Sequence, residues 1–212
     1  MRSVVLKPGM VSSVCAIPDQ REPGTPVKNI LLGSMCITNY MNQQALNKYF
    51  STEWSGFLGR YEHSGYELTA KVQPHEHVLD VGCGLNEFSG LIPNLVGIDP
   101  AFDEADVKCA IEDYKSDQLF DVAFCLGSIN FGKQKKILEQ IQLVVNLLKP
   151  RARIYWRCNP GRADHGNETC KSIDFFPWTE ELLQEFAERF GFQIVDMQQD
   201  SNNRIYCEWT RC

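Results

Sequence analysis

Val78-Leu79-Asp80-Val81-Gly82-Cys83-Gly84, followed after a short interval by Leu95-Val96-Gly97-Ile98-Asp99-Pro100, decides how this chain folds. A strand that empties into glycines lets the backbone turn sharply at positive φ and approach a ligand closely, because no Cβ intervenes. An acidic side chain that closes the next strand can accept hydrogen bonds from both hydroxyls of a ribose. Together these features describe a pocket for an adenosine-containing cofactor.

Outward from this stretch, strand and helix signals alternate. Residues 77–81 and 95–98 read as the first two strands, and so little chain separates them that the intervening helix, over residues 87–91, must be truncated. Residues 106–111 read as a short third strand and 120–126 as a fourth, apolar enough for burial on both faces. Ile137, Ile141, Val144, Val145 and Leu148 recur at helical spacing over residues 133–149, with Pro150 expected to halt the helix and a fifth strand following at 153–157. Thr179 can cap a helix with Glu180 and Glu181 in its first turn, and Gly191 ends it. Residues 192–197 and 204–209 close the chain as two strands joined by Asp200-Ser201-Asn202-Asn203. The predicted fold is α/β: a three-layer, doubly wound, seven-stranded sheet, mostly parallel with an antiparallel C-terminal strand.

Upstream, residues 1–35 hold four prolines and no sustained period, which predicts an irregular arm, with Met35 or Met41 an alternative start that intact mass would reveal. Residues 36–74 read as a helical cap rich in aromatics, and residues 75–212 as the cofactor-binding domain. Within the cap, Trp54, Arg60, Tyr61 and His63 lie just before the first strand, in reach of its pocket.

The net charge of −6 and pI near 5.3 disfavour a protein that spreads over a phosphate backbone. The nine cysteines form no C-x-x-C pair, and an odd, scattered set points to a reducing compartment and a cytoplasmic protein. No apolar run approaches the roughly 20 residues that span a bilayer.

Two cofactor chemistries share the glycine turn and the ribose acid. A dinucleotide enzyme needs G-x-G-x-x-G, and the third small position is Glu87 here, which obstructs helix packing and puts negative charge beside a pyrophosphate. Residues 77–209 instead resemble a class I, Rossmann-like S-adenosylmethionine-dependent methyltransferase. Val78 to Gly84 stands as the first motif of that family, Asp99 as its ribose acid, and Ile111-Glu112-Asp113 as its adenine border. Phe120-Asp121-Val122-Ala123-Phe124-Cys125-Leu126 is similar to its fourth strand, and Leu147-Leu148-Lys149-Pro150 with Arg153-Ile154-Tyr155 to the approach into its fifth. The resemblance implies S-adenosyl-L-methionine as cofactor, with Asp80, Gly82, Cys83, Gly84 and Asn86 around its amino-acid end. It implies Asp99 and Pro100 at the ribose, Ile111 and Glu112 at adenine, and Leu126 and Gly127 at the end of the fourth strand. Two departures stand out: Asn86 replaces a customary glycine, tolerating left-handed backbone better than most residues, and Arg151-Ala152 replaces Gly-Gly.

Methyl transfer from a sulfonium is an in-line displacement, so positioning matters more than a dedicated catalytic group. Gly127-Ser128-Ile129-Asn130-Phe131 carries neither the [DNS]-P-P-[YF] of exocyclic-amino DNA methyltransferases nor a Pro-Cys nucleophile. A small or medium-sized acceptor, methylated on O, N or S, is therefore expected. A nucleic-acid methyltransferase, with a basic face from Arg151, Arg153, Arg157 and Arg162, and a protein methyltransferase are the alternatives. Asn130 can orient an acceptor or merely stitch its loop. His165 and His63 are candidate bases, and Trp54, Tyr61, Arg157 and Asn159 candidate substrate contacts. His75 and His77 look like a metal pair but lack a third ligand, and no metal is expected.

Overall fold

The computed structural model describes residues 43–52, 58–159 and 173–212. Among them a six-stranded sheet comprises β1 (Val78–Val81), β2 (Leu95–Ile98), β3 (Phe120–Leu126), β4 (Leu148–Cys158), β5 (Phe192–Gln199) and β6 (Ile205–Arg211), in the order β2-β1-β3-β4-β6-β5. β2, β1, β3 and β4 pair in parallel, while β6 lies antiparallel to both β4 and β5, so β6 alone runs against the rest. Helices α1 (residues 43–52), α2 (Gln134–Asn146) and α3 (Glu180–Arg189) accompany the sheet, with 3-10 turns at Leu58–Arg60 and Tyr66–Lys71.

The period of two in the strands divides the core between two faces. Leu79, Val81, Ala123, Cys125, Ile154 and Trp156 point toward α2 and α3, where Ile137, Ile141, Leu183 and Phe186 are fully buried. Val78, Val122, Phe124, Leu126 and Tyr155 point the other way, onto Leu68, Phe88 and Ile92. α1 packs separately, with Leu46 and Tyr49 against Phe131 and Ile173. The cap of α3 forms as expected: Thr179 Oγ1 accepts from the Leu182 N–H at 3.2 Å.

Three sequence expectations are corrected. The third strand, over residues 106–111, does not form, so the described sheet has six strands and not seven; only one bridge, Ile98 to Val107, joins this segment to β2. The Asp106 carboxylate takes the Gly97 N–H at 2.7 Å, a backbone donor on β2 that a third strand would otherwise bond. Residues 87–91 form turns and no helix, because Asn86 at φ 53 and Gly90 at φ 78 interrupt it. Pro150 does not halt α2, which ends at Asn146; it lies inside β4, where the register to β3 shifts between Phe120 and Val122 and the missing proline N–H is tolerated.

Candidate active site

The carboxyl ends of β1, β2, β3 and β4 open into a cavity of about 170 Å³, where one water needs only about 10–15 Å³. Such a crevice is where open α/β sheets bind ligands. β1 delivers Asp80 and the turn Gly82-Cys83-Gly84; β2 delivers Asp99 and Pro100; the segment after it delivers Ile111 and Glu112. β3 ends in Leu126, Gly127 and Ser128, β4 in Arg157 and Asn159, and Tyr61 enters from the segment before β1.

The glycine turn is held from two sides. Gly82 and Cys83 N–H both donate to the Ile98 carbonyl, at 2.8 and 3.1 Å, and Gly84 N–H donates to Asp99 Oδ2 at 3.0 Å. Gly82 has φ 71, and a Cβ there would come within 2.4 Å of the Ser128 Cβ, so its missing side chain makes room for the loop after β3. The other Asp99 oxygen accepts from Ala101 and Phe102 N–H, at 2.7 and 3.2 Å. Three of about four carboxylate lone-pair sites are thus occupied by the backbone, leaving one for a ligand hydroxyl.

Asp80 is buried on the cavity wall, and among the described residues none hydrogen-bonds or ion-pairs with its carboxylate. Burial pushes its pKa up to about 7; the Arg157 guanidinium opposes that rise, and Asp99 and Asp106 add to it. Burial likewise pushes the Cys83 thiol well above its ordinary range. Arg157 is also buried, its guanidinium 3.6 Å from the centroid of the Tyr61 ring, donating to Ser64 Oγ at 3.2 Å and to the Leu126 carbonyl. Glu112 turns partly outward, accepting from Gln140 Nε2 at 2.9 Å.

Other expected site residues fall elsewhere. Asn86 is buried behind the turn, donating to the Glu104 carbonyl at 3.0 Å and to Asp106, and does not line the cavity. Asn130 uses both ends of its amide on the backbone, donating to the Arg157 carbonyl at 3.3 Å and accepting from Asn159 N–H at 3.0 Å; it stitches the loop. His63 is exposed and lies edge-on to Tyr206, with ring centroids 5.5 Å apart, away from the cavity. Trp54 and His165 lie outside the described residues.

Sequence reasoning missed Leu46, Phe50 and Phe131, which give the cavity an apolar wall, and Ser128 and Arg204. Arg204 had one signal: the start of a strand antiparallel to β4 returns the chain to the end of β4 that carries Arg157. The described residues contain no His, Cys, Asp and Glu group able to hold a metal ion, and none of their helices is long and apolar enough to cross a membrane.

The fold is shared with solved methyltransferases. Over 88% of this chain and 93% of the other, it matches Burkholderia thailandensis 1,6-didemethyltoxoflavin-N1-methyltransferase, solved with 1,6-didemethyltoxoflavin and S-adenosylhomocysteine, at TM-score 0.62 and 16% identity. It matches magnesium protoporphyrin IX methyltransferase from Synechocystis PCC 6803, solved with S-adenosylhomocysteine, over 84% of this chain and 99% of that one, at TM-score 0.56 and 15% identity. N-methyltransferase NodS from Bradyrhizobium japonicum WM9, also with S-adenosylhomocysteine, matches over 79% and 97%, at TM-score 0.55 and 14% identity. No protein-family model and no curated protein matches the sequence. The chain therefore has the Rossmann-like fold of S-adenosylmethionine-dependent methyltransferases.

Proposed function

We propose that this protein is an S-adenosylmethionine-dependent methyltransferase acting on an O, N or S atom of a small or medium-sized acceptor. The observation that carries this reading is the acidic wall of the cavity, where the buried Asp80 carboxylate lacks a cation within ion-pair distance among the described residues. A ligand that brings an ammonium and a sulfonium supplies positive charge where Asp80 would otherwise be held protonated. S-adenosylmethionine, when bound, supplies a methyl group on sulfur that an in-line nucleophile displaces.

The residues of the chain have positioning roles in this reading. Asp80 with the 82–84 turn receives the amino-acid end, Asp99 fixes that turn and offers its remaining lone pair to a ribose hydroxyl, and Ile111 borders adenine. Tyr61, Arg157 and Asn159 stand on the acceptor side. Residues 36–74 act as a cap over the cavity, residues 1–35 as an arm, and residues 75–212 as the cofactor domain. Six free cysteines among the described residues fit a reducing cytoplasm. His165 is proposed as a base, to be replaced by alanine and assayed across pH. For the reaction itself, the protein is incubated with methyl-labelled S-adenosylmethionine and fractionated host extract. Label in small molecules supports this reading; label only in nucleic acid or protein, or none, rejects it.

A further inference from the structure

The cavity is divided by charge along the sheet edge. Asp99 and Asp80 stand at the ends of β2 and β1, and Arg157 stands at the end of β4, beyond β3. Three strand spacings of about 4.8 Å separate β2 from β4, or about 14 Å. A cofactor that meets Asp99 with its ribose and Asp80 with its ammonium occupies the acidic side. The basic side then faces the acceptor.

Arg157 differs from its neighbour Arg204. The Arg204 guanidinium pairs with Asp200 at 3.2 Å, so its charge has a carboxylate. Arg157 is only 7% exposed, yet its polar contacts are a hydroxyl, Ser64 Oγ, and a carbonyl, Leu126 O, and no described carboxylate lies within ion-pair distance. A buried guanidinium with neutral partners is costly unless an anion completes it in the working state. The Tyr61 ring beneath it and the strand that carries it fix its plane, which suits two parallel hydrogen bonds to a carboxylate. Leu46, Phe50 and Phe131 line the same cavity with apolar surface. Burial lowers the Arg157 pKa and Arg204 adds to this, while Tyr61, Tyr206 and Asp80 oppose it without any of the three forming an ion pair with the guanidinium.

We propose that the methyl acceptor is a small organic anion, an apolar body bearing a carboxylate, with that carboxylate held by Arg157. The proposal rests on the methyltransferase reading above and adds the chemical class of the acceptor.

The test uses calorimetry on the full chain saturated with S-adenosylhomocysteine. Benzoate and 2-naphthoate are titrated beside their neutral isosteres benzamide and 2-naphthamide. The acids are expected to bind at least tenfold more tightly, and Arg157→Gln to erase that preference while S-adenosylhomocysteine affinity stays within threefold. Acids that bind wild-type protein no better than amides overturn the proposal, and that comparison needs no variant to fold. A tenfold loss of S-adenosylhomocysteine affinity in Arg157→Gln, with 5′-methylthioadenosine unaffected, also overturns it, because Arg157 then holds the carboxylate of the cofactor. Wild-type protein that binds no S-adenosylhomocysteine is a different result, which rejects the methyltransferase reading and this inference with it.

Discussion

The Glu87 carboxylate accepts a hydrogen bond from the Leu58 backbone N–H at 2.9 Å. Its other oxygen accepts from the Tyr66 hydroxyl at 3.0 Å, so one side chain ties both 3-10 turns that precede β1 to the turn after β1. The residue that replaces a third glycine thus anchors the segment bringing Tyr61 to the cavity. Glu87→Ala should lower stability by about 1–2 kcal/mol, the value of hydrogen bonds to a charged acceptor in a partly exposed place, and should speed proteolysis within residues 58–71. Tyr66→Phe, which removes a hydrogen bond at an exposed hydroxyl, should cost less than Glu87→Ala. Urea denaturation and timed proteolysis measure both; equal losses for the two variants would contradict the backbone bond as the main tie.

The ends of β1 and β2 were legible because glycines and a terminal acid are local signals with a mechanical reason. Asp99 shows where legibility stopped: the sequence reading has its carboxylate accept from both hydroxyls of a ribose and does not foresee the three backbone N–H groups that it also accepts from. Position alone cannot show how a loop folds back on a carboxylate. The absent strand at residues 106–111 has the same cause, since the Asp106 side chain competes for a backbone N–H that a strand would bond. The apolar wall of Leu46, Phe50 and Phe131 was hidden because it joins residues far apart in sequence, while helical periodicity reports only that a face is buried.

Asp99 gives a test that separates charge from shape. Asn fits the same space, but its amide NH₂ would face a donor whichever way it turned, Gly84 N–H on one side or Ala101 and Phe102 N–H on the other. Asp99→Asn should therefore weaken S-adenosylhomocysteine binding about as much as Asp99→Ala, by roughly 10- to 100-fold, the range for losing charge-assisted hydrogen bonds. Calorimetry on both variants is the measurement. Wild-type affinity in Asp99→Asn would show that the carboxylate does not organise the site.

Arg151 sits in the bulge of β4 at φ 67, an exposed position where the sequence departs from glycine. Left-handed backbone costs a residue with a Cβ about 1–2 kcal/mol, part of which glycine returns through the greater freedom of its unfolded chain. Arg151→Gly should stabilise the protein by about 0.5–1 kcal/mol and leave ligand binding unchanged, since Arg151 does not line the cavity. Thermal and urea denaturation decide the sign; destabilisation would mean that the Arg151 side chain contributes more than its backbone costs.

Asp80 links ligand binding to pH. Its folded pKa of about 7 lies above the ordinary carboxylate range, chiefly because burial disfavours the charge. A raised folded pKa means that the folded state holds a proton the unfolded chain has released, so its stabilising contribution is fully present below about pH 4 and lost as pH rises through 7. At pH 8 the ligand-free protein carries the buried charge at a cost of up to about 4 kcal/mol, from a shift of about three pKa units. Asp80→Asn should remove that cost, making the ligand-free protein more stable than wild type at pH 8 but not at pH 4. The cationic ligand reverses the preference, because it requires the ionised form. Affinity of wild-type protein for S-adenosylmethionine should climb by up to about tenfold per unit from pH 5.5 toward 7 and then level, while Asp80→Asn binds weakly with a flat profile. Denaturation and calorimetry across this range test both halves, and a wild-type affinity that falls with rising pH would show that Asp80 does not meet the positive charge of the cofactor.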